Sequence, residues 1–244
     1  MMLTKNAMKI ITSLGSKKYR QKYNLFVVEG VKNVKEVLKS NITVKELYTT
    51  NQNFDAKGNL PVHYLSPNEL KKISFLSTPN ECLAVCEIPP QRSIAPVKGL
   101  TLVLDTINDP GNLGTIIRLA DWFGITQIIC SKESVDVYNP KVIMSTMGSF
   151  ARVAVHYTDI LEVIENYKYP ILGAFMEGES IFQFPFPENA MLVMGSEAHG
   201  ISKAVEDKIT NKISIPAIGK QTESLNVAMA TSIIVGEVFS QKMR

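Results

Sequence analysis

The feature that most constrains this chain is a run of short apolar segments alternating with helix-patterned stretches after residue 98. The segments are TLVLD (101–105), TQIIC (126–130), PILGAF (170–175), MLVMG (191–195) and KISIP (212–216). A strand that is apolar at successive positions needs cover on both faces, and helical returns between such strands supply it. The pattern predicts an α/β domain with a parallel sheet between helix layers. Earlier, LFVVEG (25–30) and CLAVCEI (82–88) read as buried strands. VKNVKEVLKS (31–40) reads as an amphipathic helix, and Ser66-Pro67 as the opening of another. Three prolines between Ile88 and Val97 break all periodicity and mark a linker. The organisation expected is a small N-terminal α/β domain over 1–90, a linker over 91–98 and a larger α/β domain over 99–244.

Charge separates the same two regions. Residues 1–98 hold 15 Lys/Arg against 7 Asp/Glu, whereas residues 99–244 hold 11 against 16. The first 28 residues carry Lys5, Lys9, Lys17, Lys18, Arg20 and Lys22 with no acid. A basic lobe suits a polyanionic partner, and the charge run equally suits a solvated helix face. The charge-free stretch from Ser224 to Gly236 falls short of the roughly 20 apolar residues of a membrane span. The N-terminus lacks the apolar core of a secretory signal. A soluble, cytoplasmic protein is expected. Cys82, Cys86 and Cys130 are too sparse for a disulfide framework and read as buried thiols rather than metal ligands.

Three segments carry chemistry. In the first, a strand ends near Asp105 and a helix begins near Asn112, read as its N-cap, and stops at Gly124. Arg118 lies off the apolar stripe, with Gly111, Gly114 and Thr115 on its own face. Small residues there leave room for an anion at the helix start, although a plain surface Arg fits equally well. GNLG lacks GxGxxG spacing, which disfavours a nicotinamide enzyme. In the second, MLVMG runs into a loop with Glu197, His199 and Gly200, and Gly195 lets a ligand approach the backbone. In the third, KISIP leads through Gly219 to a helix with Ser224 as a plausible N-cap. That helix is apolar on nearly all sides and asks for cover by a second subunit. Asn226 is then a polar group needing a partner.

Taken in order, these segments resemble the SpoU (TrmH-like) family of RNA ribose 2′-O-methyltransferases, in the SPOUT superfamily. The text carrying the resemblance is Asn108…Gly111-Asn112-Leu113-Gly114…Arg118, then Leu192-Val193-Met194-Gly195-Ser196-Glu197…Gly200, then Ile215-Pro216…Ser224-Leu225-Asn226-Val227-Ala228. Phe26-Val-Val-Glu-Gly30 resembles the start of the RNA substrate-binding domain often fused to such enzymes. The resemblance implies a trefoil knot, S-adenosylmethionine as cofactor, a homodimer through the C-terminal domain and no metal. Carried over, Gly195, Ile215 and Leu225 contact the cofactor, and Asn112, Arg118, Glu197, Ser224 and Asn226 form the catalytic set. Lys17, Lys18 and Arg20 are the candidate RNA contacts. Met144 departs from the basic or polar residue that relatives often carry. The function implied is methylation of a ribose 2′-hydroxyl in structured RNA, rRNA favoured over tRNA. The rivals are an RNA-binding protein with a silent transferase domain and a base-methylating or small-molecule transferase. Removal of residues 1–95 is expected to spare cofactor binding.

Overall fold

The computed structural model describes residues 3–56, 58–91, 93–95, 99–219 and 224–243, so part of the 91–98 linker lies outside it. The chain forms two compact units, Met1–Gln91 with Asp136–Arg152, and Arg92–Val135 with Val153–Arg244.

The first unit is built on a four-stranded sheet. Its strands are β1 (Leu25–Glu29), β2 (Val44–Thr49), β3 (Val62–Tyr64) and β4 (Cys82–Glu87), in the order β1-β4-β2-β3. One face is covered by α1 (Lys5–Ser13), α4 (Pro67–Lys71) and the residues just after each, which set Ile11, Leu14, Leu70 and Ile73 on Val27, Tyr48, Leu83 and Val85. Ser66 caps α4 in a reciprocal box with Glu69, as Ser-Pro-x-Glu spacing encodes. The other face carries Phe26, Val28, Leu47 and Cys86 beneath α3 (Val31–Leu38).

That second core is completed from far along the chain. Within Asp136–Arg152, α6 (Pro140–Thr146) and a following 3₁₀ turn contribute Ile143 and Phe150 to the cluster of Phe26, Val34 and Val37. Each such side chain contributes roughly 1.5–3 kcal/mol on burial. Met144, the departure noted above, accepts a 3.4 Å hydrogen bond at Sδ from Asn33 Nδ2. The segment thus packs with the N-terminal residues, although the linear reading assigned 99–244 to one domain. Deleting residues 1–95 would strip Ile143 and Phe150 of their partners, so that deletion is not a neutral cut.

Arg20 joins the two pieces of this unit. It lies on α2 (Lys17–Tyr23) and is 2% exposed. Nε and Nη2 donate to Asp136 Oδ2 at 2.9 and 2.6 Å, and Nη1 donates to the Leu14 and Gly15 carbonyls at 2.8 and 2.9 Å. All three guanidinium nitrogens are engaged, so Arg20 is a structural ion pair and not the RNA contact expected of it. Lys17 and Lys18 are exposed on the same helix.

The second unit has six parallel strands: β5 (Leu100–Leu104), β6 (Gln127–Ser131), β7 (Ala154–Thr158), β8 (Ile171–Ser180), β9 (Ala190–Met194) and β10 (Asn211–Ser214). Their order is β10-β8-β9-β5-β6-β7. The helices are α5 (Pro110–Trp122), α7 (Ile160–Glu165), α8 (Lys203–Glu206) and α9 (Val227–Lys242). The continuous burial of β5 and β9 is what the unbroken apolar runs require. All strands point the same way, so the loops after β5, β9 and β10 open at one edge of the sheet.

The three cysteines are buried. Burial, helped by the negative charge of Glu81 and Glu29, pushes the Cys82 thiol up to about 12, and burial alone raises Cys86 and Cys130. Such thiols stay protonated and unreactive. No group of His, Cys, Asp and Glu suited to a metal occurs among the described residues.

Asp136→Ala should leave the Arg20 charge buried and unpaired. A loss of about 3 kcal/mol is expected in urea denaturation, and wild-type stability would mean that the pair holds nothing together.

Candidate active site

Three loops at the carboxyl edge of the six-stranded sheet supply the candidate residues. The first follows β5. Asp105 is 4% exposed, and its Oδ2 accepts from the Ser202 amide at 2.7 Å. Thr106 takes a left-handed backbone (φ 61°), costly for a β-branched residue, and Ser131 Oγ fixes it by accepting its amide at 3.0 Å. Ser134 Oγ holds the Ile107 amide in the same way at 3.1 Å. The helix then starts at Asp109, not Asn112. Asp109 Oδ1 accepts the Asn112 amide at 2.8 Å, with Pro110 in the first turn. This leaves the Asn112 side chain free to point into the site.

The second loop is a tight hairpin. Ser196 and Gly200 exchange both backbone hydrogen bonds at 2.9 Å, placing Glu197 at the turn. A Cβ on Gly195 would stand 2.1 Å from the Gly200 carbonyl carbon and 2.2 Å from the Ile201 amide nitrogen. The space at Gly195 is therefore filled by the chain itself, and glycine is required there whether or not a ligand is bound. His199 is exposed at the same turn.

The third loop leaves β10 through Ile215 and rejoins described structure at Ser224. Asn226, not Ser224, caps α9: its Oδ1 accepts the Ala228 and Met229 amides at 3.0 and 3.2 Å. With that oxygen committed, Nδ2 faces the other way. It donates to Asn112 Oδ1 at 2.9 Å and to Glu197 Oε1 at 3.0 Å, while Asn112 Nδ2 donates to Glu197 Oε1 at 2.6 Å.

Asn112, Glu197 and Asn226, up to 114 positions apart in sequence, thus close a ring of hydrogen bonds. Two amides converge on one carboxylate oxygen, and Oε2 takes no hydrogen bond among the described residues. Arg118 is exposed on α5 and Ser224 is exposed beside Asn226; neither joins the ring among the described residues. Leu225 is 44% exposed, Ile215 half-buried and Ile218 almost wholly exposed. Asp105 was not singled out from sequence. Its signal was an acid closing a run of apolar strand residues, where solvent alone would not require one.

Residues 99–236 match the model of the SpoU rRNA Methylase family, and residues 5–84 match the MRM3-like substrate binding domain. The chain belongs to the SpoU family. It is 31% identical, over 91% of each chain, to the 23S rRNA (guanosine(2553)-2′-O)-methyltransferase RlmP of Bacillus subtilis. A solved structure from Porphyromonas gingivalis, assigned to the TrmH family of RNA methyltransferases, superposes with a TM-score of 0.88 at 38% identity, covering 98% of each chain. The AdoMet-bound rRNA methyltransferase from Sinorhizobium meliloti superposes with a TM-score of 0.86 at 26% identity, covering 99% of this chain and 97% of its own.

Asn226→Ser keeps a capping oxygen but has no amide to donate to Asn112 and Glu197. It should melt within a few degrees of wild type while losing the ring. Asn226→Ala should lose about 1 kcal/mol as well, from the cap. Equal destabilisation by both would show that the cap is not carried by Oδ1.

Proposed function

We propose that this SpoU-family chain methylates a ribose 2′-hydroxyl in structured RNA, ribosomal RNA before transfer RNA, with S-adenosylmethionine as donor. The observation that carries the reading is the ring of Asn112, Glu197 and Asn226, drawn from three loops onto the edge where an open α/β sheet binds its ligands. The relatives named above as rRNA enzymes favour that substrate. Asn112, Arg118, Glu197, Ser224 and Asn226 are all present, which argues against a silent transferase domain.

The residues at this edge fit the cofactor. Ile215, Ile218 and Leu225 stand on the loops around the site without a full core role, as a lining for an adenine and an aliphatic chain would. Ile215, Leu225 and the backbone of Gly195, on the side away from Gly200 and Ile201, would hold it, mainly through backbone groups. When bound there, S-adenosylmethionine supplies an electrophilic methyl on a sulfonium sulfur.

The chain's own task is to orient the ribose and assist departure of the hydroxyl proton. Glu197 Oε1 is pinned by two amides, so Oε2 has a fixed direction in which to accept a hydroxyl hydrogen bond. The Ser224 hydroxyl is a further orienting group. A guanidinium is a donor without an acceptor, so Arg118 serves best as a bidentate clamp on the adjacent phosphate, easing loss of the hydroxyl proton by its charge.

The same reading carries a homodimer through the second unit. Trp122 on α5 is 83% exposed, and Met229 and Ile233 on α9 are 59% and 36% exposed, an apolar surface suited to cover by a second copy. It also carries a trefoil knot through the loops that bear Glu197 and Asn226. A cytoplasmic location accords with the bacterial rRNA enzyme among its relatives. No helix of the described residues is long and apolar enough to cross a membrane.

Mapping 2′-O-methyl groups in total RNA with and without the protein should reveal one added site. Arg118→Ala should lower methyl transfer about 100-fold or more while cofactor binding by calorimetry is unchanged. A methyl found on a base would overturn the reading. Lys17→Ala with Lys18→Ala should reduce the salt slope of RNA binding by about 2.

A further inference from the structure

The basic layer of the first unit contains a feature that charge alone does not explain. The helices covering the Val27/Tyr48/Leu83/Val85 face bear exposed Lys5 and Lys9 on α1, and Lys71 at the end of α4 with Lys72 just beyond it. The acid of α4, Glu69, is occupied by the capping box with Ser66. Lysines of this kind bind phosphates without regard to strandedness or sequence.

On α2 stand two tyrosines, with Lys18 and Lys22 beside them in sequence. Tyr19 and Tyr23 are four residues apart and so share one helix face, with ring centroids 6.2 Å apart and planes only 15° from parallel. Each is 37% exposed. Lys22 Nζ lies 5.5 Å from the Tyr23 ring centroid. The helix cannot roll to bury these rings. Arg20, between them in sequence, is locked to Asp136 and to the carbonyls of Leu14 and Gly15. Ser16 and left-handed Asn24 (φ 53°) bound the helix at its two ends.

We infer that Tyr19 and Tyr23 form a stacking platform for an unpaired RNA base, so that this surface selects single-stranded or looped RNA over duplex. The inference rests on the RNA reading of the preceding subsection and makes it more specific. Near-parallel, fixed, half-exposed rings flanked by lysines are what a splayed base and its phosphates require. The π-faces of bases within a duplex are already stacked and offer nothing to such rings. The platform gives a preference for strandedness, with the lysines setting overall affinity.

The test compares a short single-stranded oligoribonucleotide with a blunt duplex of the same sequence, titrated against the full chain. Tyr19→Ala with Tyr23→Ala should weaken single-strand binding about tenfold or more, leave duplex binding unchanged and leave the salt slope unaltered. Tyr19→Phe with Tyr23→Phe should bind like wild type, because the ring and not the hydroxyl makes the contact. In the unsubstituted protein, a 4-thiouridine oligonucleotide should crosslink to the peptide holding Tyr19 and Tyr23, a readout independent of how the variants fold. Equal loss on single strand and duplex, loss in the Phe pair, or crosslinks only elsewhere would overturn the platform. If the Ala pair matches wild type while Lys17→Ala with Lys18→Ala weakens binding, the platform falls and the RNA reading stands. If the unsubstituted chain binds neither RNA, both fall.

Discussion

The carboxamide of Asn226 ties the start of α9 to the candidate active site. Its oxygen terminates the helix, and its nitrogen reaches both Asn112 and Glu197. Because the group is planar, turning it over would break the cap and the ring together. Asn112 is placed by a similar device, since Asp109 holds its backbone while its side chain completes the ring. Two helix N-termini and one hairpin turn are thereby set relative to one another by side-chain amides. One oxygen of the Glu197 carboxylate is doubly donated, and the other takes no hydrogen bond among the described residues.

Tight backbone approach surrounds this ring. Gly195 rests against Gly200 and Ile201, and Asp105 reaches across from β5 to hold the Ser202 amide. The loop bearing Glu197 is thus braced at both ends. Preorganisation of this sort matters for a methyl transfer, where alignment of oxygen, carbon and sulfur is most of what a protein can contribute.

The parallel sheet was legible because each of its long runs is apolar on successive residues, and β5, β6 and β9 lie where those runs lie. PILGAF was read short: β8 continues to Ser180, with a shift of register against β10 between Lys212 and Ile213 that no local pattern signals. The edge strand β7, AVHYT, mixes polar and apolar residues too evenly to stand out. Caps were misplaced by a few residues at Asn112 and Ser224, since Asp109 and Asn226 are equally good capping types and only the fold chooses between them. Asn112, Glu197 and Asn226 were named from family resemblance, whereas their mutual contact is a property of the folded chain. Arg20 was misjudged because a charge run does not reveal which of its members finds a distant acid. Asp136 lies 116 residues away, and nothing local to either residue announces the pair.

The first unit is discontinuous: its core borrows Ile143 and Phe150, and its buried arginine borrows Asp136. Synthesis proceeds from the N-terminus, so an emerging chain holds every strand of that sheet by Glu87 and still lacks part of its interior. One apolar face, covered by α3 alone, and the Arg20 charge must wait for their remaining partners while roughly fifty to sixty further residues, including β5, α5 and β6, are made. Maturation of the lobe is thereby coupled in time to the appearance of the catalytic half, and a ribosome that stalls before Arg152 leaves behind an incomplete hydrophobic surface for chaperones to recognise.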